Sequence, residues 1–424
     1  MLRKLKELFY FPIASYFRFF AAIRLRRWHP RIIVVTGSNG KTTLFHLLEA
    51  QFGKQARHSH HANSSFGIPF NILGLERKTL LKSEWIKLFL LAPLKVFAPL
   101  PKEKIFVVEC DCDRPGEGKF LAELLKPEVV LWVSTSRTHG MNFEALVTEK
   151  RFATVEEAIA YEFGYFLAYC SDFVVIDGDS SLQVQQTNRT KARVKAIKKT
   201  EILDKYHVDA TGTTFVLNKK SYTFTSLLPE VVATGLAMCI EAVDYFKIDF
   251  DPTFAHYTLP PGRGSLFSGI KKTTIIDSCY NANLSSMEAI LSMYKQFAAK
   301  KKWAVIGDML EQGAGEREQH EKLAVVLSKV DLDRIVFLGP RVRRYTYPYL
   351  QQLDRQKISM DAFDSPREAL DFLQSHIEGG ETILFKGARF MEGIIEHLLA
   401  NPKDAAKLAR REKVWEIRRK KWGL

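Results

Sequence analysis

The stretch Arg31-Ile32-Ile33-Val34-Val35-Thr36-Gly37-Ser38-Asn39-Gly40-Lys41-Thr42-Thr43 decides the fold class. A short β-branched run ends at a glycine turn, and Lys41 to Phe52 then reads as a helix. Strand, Gly-rich turn and helix, in that order, open an α/β domain. Gly37 and Gly40 let backbone N–H groups turn toward an anion, and a helix N-terminus adds positive potential there. Lys41 can reach the β- and γ-phosphates of a nucleotide, and the Thr42 hydroxyl suits Mg²⁺. Ser38, Asn39 and Thr43 complete the lining of the loop. The usual phosphate loop has four residues between its glycines and this one has two, so the strand–turn–helix context carries the reading. The expected ligands are ATP and Mg²⁺.

Outward from the loop, further buried-strand candidates lie at Ile105–Glu109, Val129–Val133 and Phe173–Asp177, with helical stretches at Gly118–Leu125 and Val155–Tyr169 between them. Alternation of this kind predicts a mainly parallel sheet with helices on both faces. A magnesium nucleotide site needs a carboxylate from a neighbouring strand end. Glu109 closes its strand and is the candidate; Asp111 and Asp113 read either as further ligands or as solvated loop acids. His139 follows the strand Val129–Val133, at the edge of the sheet where α/β folds bind ligands.

The cluster Leu259-Pro260-Pro261-Gly262-Arg263-Gly264 follows a helical run, Val231–Phe246, and is the best domain boundary. Strands then recur at Thr273–Asp277, Trp303–Gly307, Arg334–Leu338 and Thr382–Phe385, which predicts a C-terminal Rossmann-like domain. The expected organisation is an apolar and basic N-terminal helix (1–30), a central ATP-binding domain (31–258), the Rossmann-like domain (259–402) and a basic helix or tail (403–424).

The chain has 424 residues, 46% apolar and 26% charged, with a net charge of +14. That excess favours anionic partners, but no aromatic-basic platform or recognition motif accompanies it, so nucleic acid is not expected. Five scattered cysteines (Cys110, Cys112, Cys170, Cys239, Cys279) do not form a disulfide framework, which fits a reducing cytoplasm. Residues Leu8 to Phe17 carry no charge but are too short for a spanning helix, which needs about 20 apolar residues. Flanked by Arg3, Lys4, Lys6, Arg24, Arg26 and Arg27, the segment suits either a membrane-interface helix or one packed on the first domain. Trp85 to Leu100 has the same basic-apolar flavour.

These residues together resemble the Mur ligase family, and within it the MurF type. Thr36–Thr43 looks like the family's phosphate loop, and Asn63-Ser-Ser-Phe-Gly67-Ile-Pro69 like its Asn-x-x-x-Gly-x-Pro segment. Glu109, Gly116-Glu117 and Lys126-Pro127 follow in the family's order, then His139 and Gly262-Arg263. Asp277-Ser-Cys-Tyr280-Asn281-Ala-Asn283, Gly307-Asp-Met-Leu-Glu311 with His320, and Lys386-Gly-Ala-Arg389 resemble MurF-type runs. The resemblance implies an ATP-dependent ligase that makes a peptide bond through an acyl phosphate on a cell-wall precursor, adding D-alanyl-D-alanine or a similar amine. It implies that Lys41 and Arg263 hold the γ-phosphate, that Thr42 and Glu109 hold Mg²⁺, and that His139 assists a second ion. Asp277, Tyr280 and Asn281 would lie along the nucleotide, with Asn281, Asn283 and the 386–389 run toward the incoming amine, and the C-terminal domain would close on the central one. The expected species is a monomer in the cytoplasm or at the inner membrane face.

Three departures narrow this. Ala160-Tyr-Glu-Phe163-Gly164 stands where the family commonly carries a modified lysine, and Lys150 is the nearest substitute. Ser278 replaces the second Asp of an Asp-Asp pair. Only about 30 residues precede the first strand, where MurF-type enzymes carry a uridine-binding domain, so a lipid-linked acceptor stands beside a nucleotide-linked one. A polyglutamate- or cyanophycin-type ligase and an inactive nucleotide-binding protein are the other readings.

Overall fold

The computed structural model describes residues 2–60, 62–77, 83–353, 358–388 and 390–424, with side chains from Phe9 onward. The chain forms two compact units. The first comprises 1–136, 145–202 and 234–257; the second comprises 137–144, 203–233 and 258–424. The Pro/Gly cluster thus opens the long C-terminal stretch of the second unit, and 203–233 groups with that unit rather than with the phosphate loop.

The first unit is built on a parallel sheet of β1 (Arg31–Thr36), β2 (Ala56–His58), β3 (Ile105–Cys110), β4 (Val129–Trp132), β5 (Phe173–Asp177) and β6 (Arg193–Ile197), in the order β2-β3-β1-β4-β5-β6. The inner strands are near-continuous apolar runs because helices cover both faces; Ile33 sits in register with Val107 on one side and Val129 on the other. With β1 central, the chain proceeds to β2 and β3 on one side and to β4, β5 and β6 on the other. A ligand crevice belongs at the C-terminal ends of the strands at such a switch point.

Helix α1 (Leu2–Trp28) is part of this unit. Ala14, Phe17, Ala21, Leu25 and Trp28 are buried. Phe17 lies edge-on to Phe70 at 4.7 Å, and the Trp28 indole donates to the Glu103 carbonyl at 2.8 Å. Each fully buried aromatic here contributes about 1.5–3 kcal/mol, so this helix is fixed by packing on the first unit. Three more helices belong to this unit: α2 (Lys41–Phe52), α3 (Gly67–Leu73) and α4 (Glu84–Lys95), the last held to α1 by the Tyr16 hydroxyl donating to the Phe89 carbonyl at 2.8 Å. α5 (Glu117–Leu125) follows β3.

The second unit contains an antiparallel sheet of β7 (Leu203–Asp209), β8 (Gly212–Leu217) and β9 (Lys220–Phe224) and a larger sheet of β10 (Ser265–Ser268), β11 (Thr274–Asp277), β12 (Lys302–Gly307), β13 (Arg334–Leu338), β14 (Ser359–Phe363) and β15 (Thr382–Lys386). The larger sheet runs β10-β11-β15-β12-β13-β14 and is parallel except for β10. Alternate residues of the same strands feed two cores, Ile276, Ile306 and Phe337 on one face and Ile275, Val305 and Val336 on the other. The basic C-terminal segment is docked rather than frayed: Arg410 and Arg419 meet the buried Glu392 at 3.4 and 3.7 Å, and Arg411 meets Glu396 at 2.6 Å.

Candidate active site

The phosphate loop is shaped by its neighbour strand. Gly37 and Gly40 have φ of 129° and 81°, and a Cβ on Gly37 would lie 2.7 Å from the Ser134 carbonyl oxygen. Only glycine fits that approach. Ser134 and Ser136, just past β4, brace the loop. The Ser38 N–H donates to the Ser134 carbonyl at 3.0 Å, the Asn39 N–H to Ser134 Oγ at 2.9 Å, and the Asn39 amide to Ser136 Oγ at 3.0 Å. Gly40 gives α2 no side-chain cap, and the first N–H groups of a helix have no partner within it. Thr43 lies in the first turn of α2.

Two charged clusters converge at this mouth. Thr42 Oγ1 donates to Glu109 Oε1 at 3.1 Å, and the Glu109 N–H is held by Ser59 Oγ at 3.1 Å. A hydroxyl beside a carboxylate, both hard oxygen donors at the start of a helix, fits Mg²⁺. The buried Lys41 ammonium donates to the Gly37 carbonyl at 2.6 Å and pairs with Asp111 at 2.9 Å. Burial pulls its pKa down, but Asp111 and then Glu109 more than offset this and hold it above the ordinary lysine value. Lys41 is therefore charged throughout the physiological range. Asp111, which could be read from sequence as a solvated loop acid, pairs with the Lys41 ammonium. The only hint in the sequence was its position two residues past Glu109.

Glu117 ties the loops around this mouth together. Fully buried, it accepts from the Ser65 N–H and hydroxyl (2.9 and 2.7 Å), from the Asp113 N–H (3.0 Å) and from Tyr10 of α1 (3.0 Å). The Asn63–Pro69 segment owes its place to that carboxylate. The neighbouring Glu162 accepts from the Gly116 and Gly118 N–H groups at 2.8 and 3.0 Å, at the N-terminus of α5. Next to it, Phe163 is fully buried and packs on Trp132 with ring centroids 5.9 Å apart. The position that carries a lysine in the resemblance is thus apolar core, and Lys150 is an exposed residue with φ 56°.

The remaining candidates lie in the second unit. His139 Nδ1 is 2.6 Å from Glu311 Oε2, and the imidazole lowers the Glu311 pKa by that hydrogen bond. The Arg263 guanidinium stacks 4.6 Å from the Tyr280 ring, and Arg410 donates to the Tyr280 carbonyl at 2.7 Å. Asp277 is fully buried, with one carboxylate oxygen accepting from the Cys279 N–H at 3.0 Å and the other without a hydrogen bond; burial raises its pKa. The Lys386 ammonium is also buried and donates to the Asn281 carbonyl at 2.6 Å. Burial and the Arg263 charge bring its pKa down to about 8. Asn283 caps the helix Leu284–Gln296, accepting from the Ser286 N–H at 2.8 Å, so that oxygen is committed to the fold. His320 is likewise structural: Nε2 accepts from the Met309 N–H at 3.2 Å, while Nδ1 sits 2.7 Å from the Glu316 carbonyl. Arg389 lies outside the described residues.

Residues 262–389 fit the family described as Mur ligase, glutamate ligase domain. A UDP-N-acetylmuramoyl-tripeptide–D-alanyl-D-alanine ligase of Bacillus subtilis is 25% identical over 389 residues, covering 88% of this chain and 76% of that protein. Among solved structures, MurF ligase from Thermotoga maritima in complex with ADP superposes with a TM-score of 0.71 at 20% identity, over 93% of this chain and 84% of that one. MurF from Acinetobacter baumannii gives 0.73 at 18% identity, over 91% and 80%. Residues 262–389 thus match a Mur ligase C-terminal domain, and the relative and the two solved structures named here are ligases of the MurF type.

Proposed function

We propose that the chain is an ATP-dependent peptide ligase of cell-wall synthesis. The γ-phosphoryl group of ATP passes to a carboxylate of a muramoyl-peptide acceptor. The amine of D-alanyl-D-alanine, or a similar dipeptide, then attacks the acyl phosphate, forming the amide and releasing phosphate. The observation that carries this reading is the convergence of Lys41 with Asp111, and of Thr42 with Glu109, at one helix mouth. Lys41 holds the charge that moves between the phosphates, with no proton shift of its own, and the glycine loop orients them; charge neutralisation and positioning are the main catalytic terms in phosphoryl transfer. Mg²⁺ held by Thr42 and Glu109 would supply Lewis-acid neutralisation of the same oxygens. The roles given above to His139, Arg263, Asp277, Tyr280 and Asn281 belong to the same proposal. So do the domain bounds of 31–258 and 259–402 and a monomeric, cytoplasmic enzyme.

The test is phosphate release with ATP, a nucleotide-linked muramoyl tripeptide and D-alanyl-D-alanine. Release that requires both acceptor and amine and vanishes in Lys41→Ala supports the reading. Release that survives Lys41→Ala removes the site. ATP binding without release, with this acceptor or a lipid-linked one, favours an inactive nucleotide-binding protein.

A peripheral seat on an anionic membrane is the second part of the proposal. Among the described residues no helix is long and apolar enough to cross a membrane. However, Ile86, Leu90, Leu94 and Phe97 form a stripe along and just past α4 that is 67–78% exposed, beside the exposed Lys87, Arg26 and Arg27. Apolar stripe and cationic rim are complementary to acidic headgroups. Flotation with phosphatidylglycerol vesicles should carry the chain and fail with Leu90→Glu/Leu94→Glu. Equal partitioning of the two would remove the membrane seat.

A further inference from the structure

One face of α2 carries chemistry that the ligase reading does not use. His46 and Glu49 stand one turn apart on the helix, and the loop after β2 brings His60 to them. His46 Nδ1 lies 3.1 Å from Glu49 Oε2, and His60 Nε2 lies 2.7 Å from Glu49 Oε1. The donor atoms of all three residues fall within 4.8 Å of one another. The two imidazole rings lie 5.9 Å apart, tilted by 51° to each other. Phe45 packs edge-on to His60 at 5.3 Å and to His58 at 5.6 Å, which fixes the imidazole of His60 against the helix.

We infer that His46, Glu49 and His60 bind a divalent transition-metal ion of the zinc type. Two imidazoles and a carboxylate are the donor set that zinc takes with a fourth position left to water. Imidazole nitrogen discriminates against Mg²⁺, which takes oxygen, so this site is chemically distinct from the Thr42–Glu109 pair. The Glu49 carboxylate offsets the charge of the ion. The site is also placed to matter. His46 lies one turn after Thr42 on α2, and His60 follows Ser59, whose hydroxyl holds the Glu109 N–H. A bound ion would clamp α2 to the loop that positions the magnesium carboxylate.

The test uses the full chain, stripped with chelator and kept in excess Mg²⁺, titrated with zinc ion alone by calorimetry, with cobalt(II) absorption as a second readout. One equivalent of zinc is expected, with the tetrahedral cobalt bands, and affinity should fall at least tenfold in His60→Asn and in Glu49→Gln. His60 is exposed, so His60→Asn leaves the core intact; a melting temperature matching wild type without metal confirms the fold. His207→Asn, at an exposed His207–Asp209 pair elsewhere on the surface, should bind as wild type does. Absence of stoichiometric zinc in wild type overturns the inference, and so does equal binding by His60→Asn, because the cluster is then only an ion pair.

Discussion

Lys41 and Lys386 are both buried at the C-terminal edge of a parallel sheet, one in each unit, yet their charges are set in opposite directions. Desolvation is the largest influence on each and disfavours the ammonium. Around Lys41, Asp111 and Glu109 reverse that influence. Around Lys386, the Arg263 guanidinium adds to it, and Asp277 and Cys279 restore only part. Burial alone therefore says little about a lysine; the sign of its nearest formal charge decides whether it is a fixed cation or a titrating group. A fixed cation suits a phosphate subsite. A lysine at about 8 can exchange its proton near neutral pH.

The sharpest break in this comparison is Lys41→Ala. Removing a charge aimed at transferring phosphoryl oxygens costs about 10²–10³ in rate, and steady-state phosphate release should fall by that factor while the Lys386 side of the molecule is untouched. A loss of less than about threefold would mean that Lys41 serves only to neutralise Asp111. Glu109→Gln comes next. Loss of a charged partner in a metal site typically costs about 10–100-fold in metal affinity or activity, so the Mg²⁺ concentration for half-maximal release should rise by that range. Thr42 would retain its hydroxyl contact to the amide.

Lys386→Met sharpens the other side through pH. The folded pKa of about 8 lies below the 10.5 of an unfolded lysine. Below pH 8 both states hold the proton, and the cost of burying the charge is fully present. Between pH 8 and 10.5 the folded chain releases the proton that the unfolded chain keeps, so stability rises with pH, by at most about 1.4 kcal/mol per pH unit for one group. Urea midpoints of wild type minus Lys386→Met should therefore climb across pH 8–10.5. A flat difference would show that Lys386 is charged like Lys41.

Most of the fold was legible because the inner strands are buried on both faces: Phe173–Asp177 and Arg334–Leu338 coincide with β5 and β13 residue for residue. The strands not read are those without that pressure. β2 is three residues, Ala-Arg-His, and four of the five residues of β6 are exposed. Strands β7, β8 and β9 mix polar and apolar residues with no long run. In the candidate site, the glycine loop, Lys41, Thr42 and Glu109 could be named as candidates from their types and order, and the structure brings Thr42 and Glu109 together. The pairing of Asp111 could not, since an acid two residues beyond a strand end looks the same whether it meets water or a buried ammonium. The braces of Ser134 and Ser136 come from a different strand and leave no local signal. The docking of the C-terminal tail depends on Glu392 and Glu396, which a charge count cannot pair with Arg410, Arg411 and Arg419.

That tail gives the smallest of the expected effects, and it bears on why Lys386 keeps its environment. Arg410 touches Glu392 at 3.4 Å and the Tyr280 carbonyl at 2.7 Å, and its guanidinium lies 5.4 Å from the Tyr280 ring. Tyr280 in turn stacks on Arg263, the charge that lowers Lys386. In Arg410→Ala the buried Glu392 still has Arg419 at 3.7 Å, so the loss is that of one partner rather than a stranded charge, about 1 kcal/mol by urea unfolding. If Arg410 acts only on stability, the rise of stability across pH 8–10.5 is unchanged. If it holds Tyr280 and Arg263 in place over Lys386, that rise becomes shallower, because Arg263 drifts away and the Lys386 pKa moves back toward 10.5. The pH profile of Arg410→Ala against that of wild type therefore separates a tail that merely anchors the chain end from one that sets the charge state of the second buried lysine.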